Sequence, residues 1–176
     1  MGTYNYTLVE KLDPISKVWD IEETTGLFSG SQNDDVTVDN PFEYQSYPIA
    51  AFIAGERNYY DVTPIAEGRG LPSDHKSIKR IAGFGGQTEM ISRYESFLVD
   101  GESYCWVLLS ELVAFDYEDT FENRRAYRGH NDTVPEGEGE VMTYREFLGE
   151  RYFKDLKALQ EVGKSSEIRI VFRFSS

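Results

Sequence analysis

The sequence predicts an α+β fold with a mixed or antiparallel sheet. Three observations carry this. Strand-like alternation opens the chain, a stronger alternation closes it, and a capped amphipathic helix stands just before the last strand. No internal repeat or linker divides the 176 residues, so 1–176 is expected to be one domain with a substantial core.

At the N-terminus Tyr4, Tyr6 and Leu8 share one face of a strand, and Thr3, Asn5 and Thr7 the other. Asp13 to Glu43 is acidic and turn-rich, with Ser29 to Asn33 as a loop tip. Asp34, Asp35 and Asp39 lack the glycine and closing glutamate of a calcium loop, so they are expected to be solvated. Pro48 to Gly55 is a short apolar run whose periodicity fits a buried strand or a buried helical turn. Pro64, Gly68, Gly70 and Pro72 make Asp61 to Ser73 a structured loop.

Ser73 or Asp74 is placed to cap a helical turn over Lys76 to Ile81, and Thr88 a helix from Glu89 to Phe97. Tyr104 to Leu109 is apolar on both faces, which predicts a central strand. Ser110 then caps a short helix, Glu111 to Phe115. Arg124 to Gly139 is loop-like. Thr143-Tyr144-Arg145-Glu146 is a capping box opening a helix with apolar Phe147, Leu148, Tyr152, Leu156 and Leu159, and Gly163 is its natural stop. In the closing strand Ile168, Ile170, Phe172 and Phe174 share a face opposite Arg169 and Arg173.

Composition narrows the functional classes. The chain is 40% hydrophobic, too apolar for disorder, and carries 18 Lys+Arg against 31 Asp+Glu, a net charge of -13. That balance argues against general nucleic-acid binding, which uses a basic face. No run approaches the ~20 apolar residues of a membrane span, and the N-terminus lacks the pattern of a signal peptide. The single cysteine, Cys105, excludes an intrachain disulfide and a cysteine-based zinc site, and fits a cytoplasmic protein.

Against this acidity, Gly68 to Arg93 holds Arg69, Lys76, Lys79, Arg80 and Arg93, with Gly83-Phe84-Gly85-Gly86 before a helix start. Cations beside a glycine turn are what an anion site uses, with Gly85 and Gly86 exposing backbone N–H groups and Lys79 adding charge. The alternative is an ordinary loop before a helix. Arg57-Asn58 follows Gly55, and Arg69 stands between Gly68 and Gly70, where the backbone can place a guanidinium for a bidentate contact. Each arginine equally suits a tie to a local carboxylate such as Asp74 or Glu67. Trp19, Tyr44, Tyr47, Tyr59, Tyr60, Phe84 and Trp106 flank these elements and offer rings for stacking, or simply core.

Catalytic patterns are thin. His75 and His130 are the only histidines, and neither stands in a nucleophile motif. His130-Asn131-Asp132 offers at most two metal ligands, and Cys105 is expected to be a buried thiol. Glu111, at a helix start after a buried strand, is the best acid/base candidate, and equally a helix-dipole residue.

Phe52-Ile53-Ala54-Gly55-Glu56-Arg57-Asn58, Pro64-Ile65, Arg69-Gly70-Leu71-Pro72-Ser73-Asp74, Trp106 to Leu112 and the Ile168 to Phe174 ending together resemble a family of small uncharacterised proteins of phages and bacterial genomes. Its members similarly carry A-G-x-R-N, R-G-L-P-x-D and W-L-x-L-x-E-L segments in that order. The resemblance implies that Arg57, Asn58, Arg69 and Asp74 occupy shared motif positions, and it brings no activity with it.

The expectation is therefore a non-enzymatic binding protein, phage-encoded and acting in the host cytoplasm. Its Arg-lined pocket of Arg57, Asn58, Arg69, Asp74, Lys79, Gly85, Gly86 and Trp106 would sequester an anionic small molecule such as a nucleotide immune signal, with no cofactor or metal. The alternatives are an acidic module that inhibits a basic host protein, and a small enzyme acting on a nucleotide or sugar.

Overall fold

The computed structural model describes residues 2–29, 37–74, 97–126 and 132–175. The fold is α+β. Its main sheet has four antiparallel strands in the order β2-β1-β8-β5, with β1 at Tyr4–Leu12, β2 at Trp19–Ile21, β5 at Ser103–Leu108 and β8 at Ile168–Ser175. Two hairpin-like pairs stand apart: β3 (Phe28–Ser29) with β4 (Thr37–Val38), and β6 (Thr120–Asn123) with β7 (Glu140–Thr143). The acidic stretch from Asp13 to Glu43 thus carries short strands as well as turns.

The first and last strands, not the Tyr104 to Leu109 segment, are the inner ones. Among the described residues β5 lies at the sheet's end, beside β8. Its apolar pattern has a different cause: both faces of the sheet are covered. Cys105 and Val107 face the main core with Ile168, Ile170, Phe172 and Phe174. Trp106 and Tyr104 pack on the other side against Leu8, Ile21, Phe97 and Val171. The predicted alternation of β1 and β8 is present. Asn5 and Thr7 are nonetheless buried on the main-core side, where Thr7 donates its hydroxyl to the Pro41 carbonyl at 2.6 Å.

The apolar run at Pro48 resolves as a helix, α1 (Tyr47–Ala54). Ser46 caps it by accepting the Ile49 N–H at 3.2 Å, proline occupies the first turn, and Gly55 closes it. Ile49 to Ile53 are all fully buried, so the helix runs through the core with no polar face. Ile49, Phe52 and Ile53 each contribute roughly 1.5–3 kcal/mol relative to exposure. The helix after β5, α2 (Leu109–Ala114), starts two residues earlier than expected. Its capping carboxylate is Glu111, which accepts the Leu108 N–H at 2.9 Å, rather than the Ser110 hydroxyl.

Thr143 caps the next helix by accepting the Glu146 N–H at 3.1 Å. The predicted single helix is broken in two: α3 (Tyr144–Leu148) and α4 (Glu150–Val162) meet at Gly149, whose φ of 82° and ψ of 169° no helix contains. The break lets Tyr144, Phe147 and Tyr152 all reach the core around Phe52. No described helix is long and apolar enough to cross a membrane.

Asp155, 1% exposed on α4, fastens the acidic N-terminal segment to this core. Its two carboxylate oxygens accept the Ser29 and Phe42 N–H groups, each at 2.8 Å. Phe42 has a φ of 61°, unusual for a bulky residue, and its ring stacks on Tyr152 and Phe172 at 5.0 and 5.9 Å. Burial pushes the Asp155 carboxyl above its ordinary range, and the two N–H donors pull against that shift. An Asp155→Asn variant keeps the shape but one acceptor fewer, so it is expected to lose about 1–3 kcal/mol of stability in urea titration. Wild-type stability would show that the two amides find other partners.

Candidate functional site

Two arginine-centred clusters stand in different parts of the molecule. The first is built on the R-G-L-P-S-D segment. Gly68 and Gly70 have φ of 79° and 65°, in the left-handed region that favours glycine, and they turn Arg69 inward between them. Its guanidinium makes a fork-to-fork pair with Glu111, Nη1 to Oε2 at 2.7 Å and Nη2 to Oε1 at 2.6 Å. It lies 4.8 Å from the centre of the Trp106 ring.

At the other end of the segment Asp74 accepts Arg169 Nη1 at 2.6 Å. Arg169 also donates Nε to Glu10 at 2.6 Å, and its guanidinium lies 4.4 Å from Trp19 and 5.8 Å from Trp106. The side chain of Arg169 is 4% exposed and that of Asp74 57%. The structure therefore brings Arg69, Asp74 and Trp106 together, and adds Glu10, Trp19, Glu111 and Arg169.

Charge decides what this cluster does. Among the described residues Arg69 and Arg169 are matched by Glu10, Asp74 and Glu111, so both guanidinium charges are engaged inside the fold. Among the described residues Arg169 Nη2 has no hydrogen-bond partner. The segment is a clip: Arg69 grips the start of α2, Asp74 grips β8, and Leu71 packs into the second-face cluster. The local tie foreseen for Arg69 exists, with Glu111 as its carboxylate rather than Glu67 or Asp74. The Arg69 contact holds the Glu111 carboxyl below its ordinary range against a smaller upward push from burial, so it stays ionised and both oxygens are engaged. Those are poor conditions for a general acid. Cys105 is buried, donates to the Ala66 carbonyl at 2.9 Å, and is pushed up to about 11 by burial, which leaves it un-nucleophilic.

Arg57 and Asn58 belong elsewhere. The Asn58 side chain closes a loop on Val62, donating to its carbonyl at 2.6 Å and accepting its N–H at 3.1 Å. That loop presents Tyr59 and Tyr60. Arg57 is exposed and donates to the Tyr59 hydroxyl at 3.2 Å. No described contact joins Arg57 to Arg69. Lys79, Gly85 and Gly86 lie outside the described residues, as do Phe84, His75, His130 and the helices expected at Lys76 and Thr88.

The second cluster centres on Arg125, just past β6. Its guanidinium lies 5.3, 5.5 and 5.2 Å from the rings of Tyr47, Tyr59 and Tyr60, and Nη1 donates to the Tyr60 hydroxyl at 2.7 Å. Arg124 braces the same wall, bonding the Val134 carbonyl at 3.0 Å and Asp61 at 2.8 Å. Beside Arg125 opens a cavity of about 540 Å³, bordered by Pro48, Tyr60, Asn123, Val134, Glu138 and Glu140. Cavities of this size hold small organic ligands.

Arg125 escaped the sequence reading because its segment reads as loop. The available signal was the pair of short alternating runs Thr120 to Asn123 and Glu140 to Thr143, which flank it as a hairpin. Among the described residues no group of three His, Cys, Asp or Glu side chains is placed to hold a metal ion. No family model matches this chain, and no curated protein or solved structure shows significant similarity to it.

A clip predicts energetic coupling. A double-mutant cycle of Arg69→Ala and Glu111→Gln is expected to give about 1 kcal/mol at neutral pH for this half-buried bidentate pair. Glu111 is depressed in the folded state, so the coupling is complete above its ordinary value of 4.5 and fades as pH falls through the lowered one. Urea titrations across that range measure it, and zero coupling at pH 7 removes the clip's energetic role.

Proposed function

We propose that this chain is a non-enzymatic binding protein that holds an anionic small molecule of the nucleotide class in the cavity beside Arg125. The observation that carries the reading is the Arg125 guanidinium, fixed by three tyrosine rings at the wall of a cavity of about 540 Å³. A guanidinium already oriented loses little freedom when it meets a phosphate or carboxylate, which favours affinity. Arg57, two residues before Tyr59, adds a second cation on the outside of the same tyrosine group.

Glu111, the acid–base candidate of the sequence, is engaged in the ion pair of the clip, which favours binding over turnover there. The resemblance to small phage proteins extends the reading to sequestration of a host nucleotide immune signal.

Isothermal titration with linear, cyclic and ADP-ribose-type nucleotides is the test. At least one is expected to bind, with Arg125→Ala weakening it tenfold or more, about 1.4 kcal/mol. Arg69→Ala is expected to leave affinity unchanged. Silence across the panel, or full affinity in a folded Arg125→Ala protein, would overturn the proposal.

A further inference from the structure

We propose that the R-G-L-P-S-D segment is a salt-sensitive strap, which opens and recloses on the sheet while the rest of the fold stays intact. Residues 67–74 lie over the face that carries Trp106, and among the described residues no backbone–backbone hydrogen bond ties them down. Side chains hold them instead. Arg69 forks onto Glu111, Asp74 accepts from Arg169, and half-buried Leu71 packs in the second-face cluster beside buried Pro72. A segment secured by a few side chains opens at a cost well below that of global unfolding. This device is independent of what the cavity beside Arg125 holds.

The hinge is at the start of the strap. Gly68 and Gly70 hold φ of 79° and 65°, and a Cβ on either would have no described neighbour within 4 Å. Rotation there meets no steric wall. Both anchors reach water. The side chains of Arg69 and Glu111 are 27% and 30% exposed, and that of Asp74 57%. Salt screens such pairs. On the whole chain the same salt acts in the opposite sense, because a net charge of -13 makes the compact state repel itself. Added salt is thus expected to loosen the strap and to tighten the fold, a combination that general destabilisation does not produce.

Cys105 reports the opening. It is the single cysteine of the chain and is 1% exposed. Its thiol donates to the Ala66 carbonyl at 2.9 Å, and the Arg69 backbone N–H donates to its sulfur. The first residues of the strap therefore cover the sulfur, and a turn at Gly68 takes Arg69 off it. A closed strap keeps the thiol buried and un-ionised, so alkylation waits for opening.

Alkylation of the full chain by iodoacetamide, a neutral reagent, is the test, run against urea and potassium chloride. At low urea the labelling rate is expected to be nearly independent of urea, as for an opening that exposes little surface. It should rise about threefold between about 0.05 and about 0.5 M salt, while the urea midpoint of unfolding also rises. Asp74→Asn should speed labelling about tenfold, through the weakened bond to Arg169. Leu71→Ala takes its place if circular dichroism shows that variant unfolded. Asp155→Asn, which weakens the fold on the main-core side, should leave the low-urea rate unchanged. A rate as steep in urea as global unfolding, or one that Asp155→Asn raises as far as it lowers stability, overturns the strap. A rate that stays level or falls with salt overturns its ionic anchoring.

Discussion

The rest of the structure depends on one buried ion pair, Arg169 with Glu10. Both sit in the four-stranded sheet, on neighbouring strands, and both are almost wholly removed from water. A charge there is tolerated only when its partner is present and well placed, since a lone buried charge costs several kcal/mol. Glu10 and Arg169 are register partners of β1 and β8. A slip of one residue would carry Glu10 to the face that holds Ile170 and Phe172 and leave Arg169 unpaired. The pair therefore fixes how the two terminal strands of the chain meet, 159 residues apart.

That constraint reaches outward. Arg169 is too rich in donors for Glu10 alone, and Asp74 takes a second one. This pins the end of the R-G-L-P-S-D segment to the sheet. Arg69 pins its beginning through Glu111, and Trp106 stands between the two guanidinium groups. The segment's opposite charges at its two ends are thus explained by two anchor points of opposite sign. Two glycines at positive φ supply the turn between the core and the first anchor.

The sequence displayed what local chemistry determines. The alternation of β8, the Thr143 box and the stop at Gly163 all depend on residues within a few positions of one another. α1 was also written locally, in Ser46, Pro48 and Gly55, but an apolar run buried on every side has no period to read. What escaped were features that need distant partners. β5 looked central because both its faces are covered, and one cover is the clip, which no window around Trp106 contains. Gly149 sits inside an otherwise helical apolar stripe, and only the packing of Tyr144 and Tyr152 around Phe52 shows why the stripe must bend there. Arg125 depends on Tyr60, 65 residues away, for its orientation.

The same residue type therefore serves three ends, and surroundings decide which. Arg169 is enclosed by carboxylates and indoles, so its charge is spent inside the fold. Arg69 is half-buried and chelated by one carboxylate through both its terminal nitrogens, which leaves it little capacity for a ligand. Arg125 lies among the rings of Tyr47, Tyr59 and Tyr60, which orient its guanidinium. In a chain of net charge -13 the long-range field opposes any anion. A cation that is held in place by aromatic rings, at the wall of a cavity, offers an anion short-range contacts that screening by salt does not remove.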